Sequence, residues 1–443
     1  MKRFVTLLLL ACMTALTLLA AVSCGHKSDA AGGVGDAIKC PVGTYGDADP
    51  DAPGKDPEEG DKDKPEPVRP AAGSITACAW DDNAYYDYYR TLFEQGKVDE
   101  DGIKGPNGRF FNYPGEDWHL DTSKRLVVTV TTGETPVAGA KVMGKNADGE
   151  TVGIAVTDAR GIAYLYLSDD AAEIMATSGE AVASAQPAGD GTVTVSLGDN
   201  TALKQNILQL MFVVDVTGSM GDELNYLQKE IEYVINAVAK NDSDTTIQLA
   251  LLFYRDDGDT EKFAYHDFVD VTDETNLRNM QNKLATQQAT GGGDYPEAVD
   301  EALEMAVSKQ WYDGTATKLI FHVLDAPPHQ KEVNRDRYGA AVKSAVEKGI
   351  RICPILASGS GLLCEYLTRQ TAALTGGRFI YVTNHSGIGN AHYDPDIPNA
   401  VVEYLNAMLV RLILGYHTGT FADPIPWNTV TDGGTAETPT KTE

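Results

Sequence analysis

Between residues 124 and 200 apolar and polar positions alternate with a period of two, broken at short intervals by turn-forming residues. Residues 126–130, 140–143, 151–156, 163–167 and 192–195 read as strands, with Asp148-Gly149 and Ala159-Arg160-Gly161 at the bends. Strands this short and this closely spaced predict a small antiparallel β-sandwich over residues 121–203. From about residue 206 the pattern changes. Continuous apolar runs at 207–214, 247–254, 319–324, 350–356 and 379–382 alternate with stretches of helical period near 221–239, 276–285, 297–308, 338–348, 362–375 and 398–414. Strands that are apolar on both faces and separated by amphipathic helices predict an α/β fold, a doubly wound and mostly parallel Rossmann-like sheet, over residues 204–420. Residues 268–271 are expected as an antiparallel edge strand.

The chain before residue 121 follows neither pattern. Lys2 and Arg3 precede an apolar stretch from Phe4 to Val22 that ends in Ala21-Val22-Ser23-Cys24. A positive start, a short apolar run and that ending resemble a bacterial lipoprotein signal over residues 1–24, with Cys24 lipidated as the mature N-terminus. The resemblance implies an exported protein of the cell envelope or cell surface, lipid-anchored to a membrane. Residues 25–73 are rich in Gly, Pro, Asp, Glu and Lys and hold too little apolar area to offset their ordering entropy, so a disordered acidic linker is expected. Residues 74–120 turn aromatic, with Trp80, Tyr85, Tyr86, Tyr88, Tyr89, Phe93, Phe110, Phe111, Tyr113 and Trp118. A helix between Asp81 and Phe93, capped by Asp81 or Asp82, would pack these rings onto the next domain; a sugar-binding platform is the sharper reading. The acidic, Gly- and Thr-rich stretch 421–443 is expected to form a flexible tail.

Charge and cysteines narrow the partners. With 36 Lys and Arg against 64 Asp and Glu, the formal net charge is −28, which repels phosphate backbones and makes nucleic acid an unsuitable partner. Loss of the signal removes Lys2 and Arg3 and no acid. Outside the cytoplasm, Cys40, Cys78, Cys353 and Cys364 allow three pairings into two disulfides, and proximity favours Cys40–Cys78 and Cys353–Cys364.

The candidate chemistry sits where open α/β sheets bind ligands, beyond the carboxyl ends of the strands. The first apolar strand runs into Asp215-Val216-Thr217-Gly218-Ser219, and alternate residues of that loop bring a carboxylate and two hydroxyls to one side. Oxygen ligands of this kind suit Mg²⁺, Mn²⁺ or Ca²⁺ better than zinc. Two later segments stand at equivalent strand ends: Thr290-Gly291-Gly292-Gly293-Asp294-Tyr295-Pro296-Glu297, and Asp325-Ala326-Pro327-Pro328-His329. Together the three resemble the metal-ion-dependent adhesion site of von Willebrand factor A domains. That resemblance implies Asp215, Thr217, Ser219 and Asp325 as ligands, with Asp294 in the middle place and Thr290 as its alternative. Tyr254-Arg255-Asp256 with the second and third segments also resembles the A domain of some alpha-kinases, although no kinase domain is present. Thr135 to Val142 followed by Thr157 to Ala163 resembles carboxypeptidase-regulatory-like and Ig-like modules, which implies a spacer role without catalytic residues.

The expectation is a non-catalytic module, with the A domain outermost, that binds a protein or a glycan through a divalent metal. The alternatives are an envelope assembly or metal-insertion factor and a metal-dependent hydrolase using Ser219 and His329. His322 reads as a core residue, His329 as surface loop or cleft lining, and Asp256, Asp257 and Asp259 as an acidic turn or a Ca²⁺ site.

Overall fold

A computed structural model describes residues 72–429, apart from 99–101, 103, 114, 199–204, 241–243, 393 and 396. The expected signal, Cys24, Cys40, nearly all of the linker and the tail beyond residue 429 lie outside the described residues. In chain order the elements begin with β1 (Thr76–Trp80) and α1 (Tyr86–Thr91). There follow β2 (Arg125–Thr132), β3 (Thr135–Pro136), β4 (Lys141–Lys145), β5 (Thr151–Val156), β6 (Ile162–Tyr166), β7 (Glu173–Ser178), β8 (Ala181–Ala185) and β9 (Thr192–Ser196). The rest are β10 (Ile207–Asp215), α2 (Leu224–Ala239), β11 (Thr246–Tyr254), β12 (Phe263–Asp270), α3 (Glu274–Ala285), α4 (Val299–Ser308), β13 (Thr317–Leu324), α5 (Glu332–Lys348), β14 (Ile350–Leu356), α6 (Leu362–Thr375), β15 (Phe379–Val382), β16 (Val402–Tyr404) and α7 (Leu405–Thr418). Among the described residues no helix is long and apolar enough to cross a membrane.

One mixed sheet of order β12-β11-β10-β13-β14-β15-β1-β16 forms the centre. β11, β10, β13, β14 and β15 run parallel, and β12 closes one edge antiparallel to β11. Every residue of β13, β14 and β15 is buried, because helices cover both faces. One apolar layer joins α4, α5 and α6 to the sheet and the other joins α2 and α7 to it. Residues 398–414, expected as one helix, divide into β16 and α7: residues 402–404 have β1 to pair with, and the helix begins only after that edge is filled.

β1 makes the aromatic segment part of this domain instead of a separate one. It inserts antiparallel between β15 and β16, from Thr76 beside Tyr404 to Trp80 beside Phe379. Asp81 accepts hydrogen bonds from the Asn83 and Ala84 N–H groups, which starts the turn leading into a helix shorter than expected. Asp82 instead meets the wholly buried Arg369 of α6, with Nη2 at 2.6 Å and Nε at 3.0 Å, while Glu365 takes Arg369 Nη1 at 3.1 Å. The rings of Phe93, Phe110 and Tyr113 gather around Tyr366 of the same helix, and Trp118 packs on Tyr338 of α5. These aromatics serve packing.

Residues 125–196 form two four-stranded sheets around an apolar core of their own. One sheet has the order β5-β4-β7-β8 and is antiparallel; in the other, β2 pairs antiparallel with β3 and β6 but parallel with β9. The sandwich meets the central domain at the amino ends of the parallel strands. Val156 packs on Gly349 just before β14, and the Arg125 guanidinium donates to the Asn83 carbonyl at 2.6 Å. The chain therefore enters the sheet through β1, builds the sandwich at the far end, and returns in β10. The sandwich is an insertion at the end away from the carboxyl ends of the strands, and the expected order, with the A domain outermost beyond a spacer, does not hold within the folded part. Residues 73–75 enter at the carboxyl end, tied by their N–H groups to Glu230 of α2. Trp427 returns to the same end, against His385 and Tyr404.

The expected Cys353–Cys364 disulfide is not formed, because the sheet stands between the two thiols. Cys353 of β14 lies in the layer shared with Tyr416, whereas Cys364 of α6 lies in the opposite layer. Burial pushes both thiols above their ordinary range.

Replacing Asp82 with Ala leaves the Arg369 charge under-compensated, and urea denaturation is expected to show a loss of about 3–5 kcal/mol. A fragment starting at residue 205 lacks β1 altogether; it is expected to show no cooperative transition, whereas one starting at residue 72 does.

Candidate functional site

β10 ends at Asp215 beside Tyr254 of β11, and Val214 sits beside Val323 of β13, so Asp325 emerges next to the Asp215 loop. After Asp215 the chain turns sharply: the Asp215 Oδ1 atom accepts from the Thr217 N–H at 2.9 Å and the Thr217 hydroxyl at 2.7 Å. A short 3-10 turn, Gly218–Asp222, then brings the Ser219 hydroxyl to 3.1 Å from that of Thr217, with Asp325 as its other hydrogen-bonding neighbour. The glycine-rich loop is bound to this turn through its backbone, Thr290 N–H to the Val216 carbonyl and Gly218 N–H to the Gly291 carbonyl, each at 3.0 Å. Spacing grouped Asp215, Thr217 and Ser219 and the family resemblance added Asp325; in the structure these four side chains stand together.

At the middle position the structure separates the candidate side chains by burial. Asp294 is exposed, as is Thr290, while Glu297, three residues beyond Asp294, is buried with the Thr217 hydroxyl as a hydrogen-bonding neighbour. Glu297 is fixed by its N–H bond to the Pro327 carbonyl at 3.0 Å and by a bridge to Pro328. Gly292, at φ +76°, lets the loop close over it: an added Cβ would stand 3.0 Å from Glu297 Oε1 and 3.3 Å from Thr217 Cβ. Glu297 belongs to the same G-G-G-D-x-P-E run that drew notice to Asp294, but spacing alone does not say which carboxylate turns inward.

Three carboxylate oxygens here are buried and without a hydrogen-bond partner: Asp215 Oδ2, Asp325 Oδ1 and Glu297 Oε2. Their residues are 0%, 3% and 4% exposed. An unsatisfied buried polar group costs about 1–3 kcal/mol, and more when charged. Burial accordingly raises all three acids. Glu297 is pushed up to about 10, first by burial and then by the charges of Asp215, Asp256 and Asp325. Asp215 is raised to about 6 by burial, with the Thr217 hydroxyl and N–H drawing it back. Asp325 goes well above the carboxylate range by burial and by the neighbouring Asp215. Such a donor set fits a hard divalent cation. Among the described residues no three His, Cys, Asp or Glu side chains form a ready-made cage, so an ion would draw on Thr217, Ser219 and water to fill its shell.

The surrounding residues are structural supports. His329 Nε2 is 2.9 Å from the buried Asp256 Oδ1. Asp259 Oδ2 accepts from the N–H groups of Asp256 and Gly292, at 3.2 and 2.9 Å, and Asp257 pairs with Lys262. His322 is buried under the site, 3.3 Å from the Tyr254 hydroxyl, and burial lowers it to about 3.

Residues 209–383 match the family described as von Willebrand factor A domain, and the chain carries that domain there. It is also similar to a putative ariadne-like RING finger protein of Acanthamoeba polyphaga mimivirus, 26% identical over 196 residues, 40% of this chain and 18% of that protein. The alpha-protein kinase vwkA of Dictyostelium discoideum is 27% identical over 126 residues, 28% of this chain and 19% of the kinase. The chain thus spans less than a fifth of the length of either relative. Among solved structures, the conserved hypothetical protein BatB of Bacteroides thetaiotaomicron aligns with a TM-score of 0.27 and 15% identity, covering 40% of this chain and 89% of that one. An aerotolerance-related membrane protein of Bacteroides fragilis aligns with a TM-score of 0.24 and 13% identity, covering 50% and 94%. Both likenesses are slight.

The raised carboxyls fix a sign for pH dependence. In the ion-free fold Glu297 keeps its proton toward about pH 10, while in the unfolded chain it loses it near its ordinary 4.5. Its contribution is therefore complete below 4.5 and is lost as pH rises through the folded value. In the presence of a chelator, the melting temperature is expected to fall between about pH 5 and 9 and to fall less in Glu297→Gln, as read by differential scanning calorimetry.

Proposed function

We propose that the A domain is a non-catalytic, divalent-cation-dependent binding module of an exported, lipid-anchored envelope protein. Asp215, Thr217, Ser219 and Asp325 would hold Mg²⁺, Mn²⁺ or Ca²⁺, and a protein or glycan partner would complete the ion's shell. The observation that carries this reading is the set of three buried, partnerless carboxylate oxygens beside two hydroxyls. A hard divalent cation would offset the like charges that burial brings together there. The export and anchor part of the reading comes from the apolar run and lipobox-like ending of residues 1–24.

The non-catalytic part has its own support. Ser219 bonds to Thr217 and Asp325, and His329 bonds to Asp256, an arrangement suited to holding an ion more than to a serine–histidine relay. Bound, the ion would supply a Lewis-acidic point on the surface; the protein's share is to hold it rigidly at the end of a sheet.

Titration calorimetry of the full chain with Mg²⁺ and Mn²⁺ is expected to show one saturable site that Asp215→Ala abolishes, with the thermal transition of the variant retained. Absence of that site in the wild type would overturn the reading. A partner captured from envelope extracts should be released by chelator and not be captured by Asp215→Ala.

A further inference from the structure

We infer that Glu297 is a resident carboxylate of this site, and that the outside group completing the ion's shell is an uncharged oxygen, from a hydroxyl, an amide carbonyl or water, instead of an acidic side chain. The inference rests on the reading of the site as a divalent-cation centre.

The argument is one of charge and space. Asp215 and Asp325 alone would neutralise a divalent ion, leaving a dipolar, hydrated site at which a further anion is tolerated. Ionised beside the cation, Glu297 would add a third negative charge next to Thr217, and the loaded site would then carry about one net negative charge, by counting unit charges. Its position is built in three ways: the N–H bond to the Pro327 carbonyl, the bridge to Pro328, and the close fit under Gly292 beside Thr217. Its Oε2 atom is buried with no partner, at a residue only 4% exposed, so it is not a surface acid swinging past the site. The nearby side chains with N–H groups are already committed, the His329 ring to Asp256 and the Arg255 guanidinium to the carbonyls of Glu261, Gln288 and Thr290. An arriving carboxylate would therefore face a net negative, partly desolvated centre, whereas a neutral oxygen would meet only the ion. The negative charge of the whole chain acts in the same direction.

The experiment uses Mn²⁺ as the probe in the full chain. It measures Mn²⁺ affinity by calorimetry and the water-proton relaxation of bound Mn²⁺ during titration with acetate. In the wild type, acetate is expected to leave the relaxation of the bound ion unchanged. In Glu297→Gln, Mn²⁺ should bind at least about tenfold more weakly, and acetate should then displace water and lower the relaxation. Glu297→Asp, which keeps the charge, should still exclude acetate and serves as the readout if the Gln variant does not fold. Equal acetate binding by wild type and Glu297→Gln, or acetate uptake by Glu297→Asp, would overturn the inference while leaving the cation site standing. Wild type that takes up no Mn²⁺ in a manner lost in Asp215→Ala would overturn the cation reading, and this inference with it.

Discussion

Arg369 lies in the middle of α6 with none of its surface exposed, and a guanidinium there is tolerable only because Asp82 and Glu365 both reach it. Asp82 comes from the turn after β1, more than 280 residues away in the chain. The ion cluster, which Arg109 completes by pairing with Glu365, therefore anchors the beginning of the folded chain to its carboxyl-terminal half. With Asp82 held, β1 is placed between β15 and β16, the aromatic rings close over Tyr366, and the sandwich strands that follow start beneath the sheet. Asn83 extends the same anchor, giving its side-chain N–H to the Ala373 carbonyl and receiving the Tyr166 hydroxyl and Arg125 guanidinium from the sandwich. One buried charge thereby fixes how the inserted domain sits on its host.

The opposite end of the sheet is governed by charges of one sign. Arg369 and Arg109 together face two carboxylates, Asp82 and Glu365, whereas among the described residues the three carboxylates of Asp215, Asp325 and Glu297 form no ion pair. The two ends of the domain thus treat buried ionisation differently. One closes its balance inside the chain and contributes to the fold, while the other leaves it open to something from outside. The loops that hold the open group are joined to one another by backbone hydrogen bonds.

Much of the central domain was legible because its strands are apolar on both faces and its helices on one: β10, β11, β13, β14 and β15 stand where the apolar runs do. The first and last site segments were legible for a related reason, since the end of a buried strand says where the next polar residues must point. Strands β7 and β8 were not, being short and rich in Ala, Ser and Thr. β1 was missed because five residues far from the other strands of their sheet carry no sign of what they pair with. That Glu297 is buried while Asp294 is exposed follows from the positive-φ glycines and the bond to Pro327, neither of which spacing encodes. Cys353 and Cys364 show the same limit: eleven residues apart in sequence, they belong to different faces of one sheet.

The described chain begins at residues 72–75 and finishes near Trp427 at the same end of the sheet, the end that carries the carboxylates. Anything fused directly to residue 72 or residue 429, whether an affinity tag, a fluorophore or a sensor chip, will therefore crowd the surface a ligand has to reach. The sandwich offers the better handle. The hairpin bend at Asp148-Gly149 is exposed, lies on the inserted domain at the opposite end, and would orient an immobilised molecule with its site facing the solution.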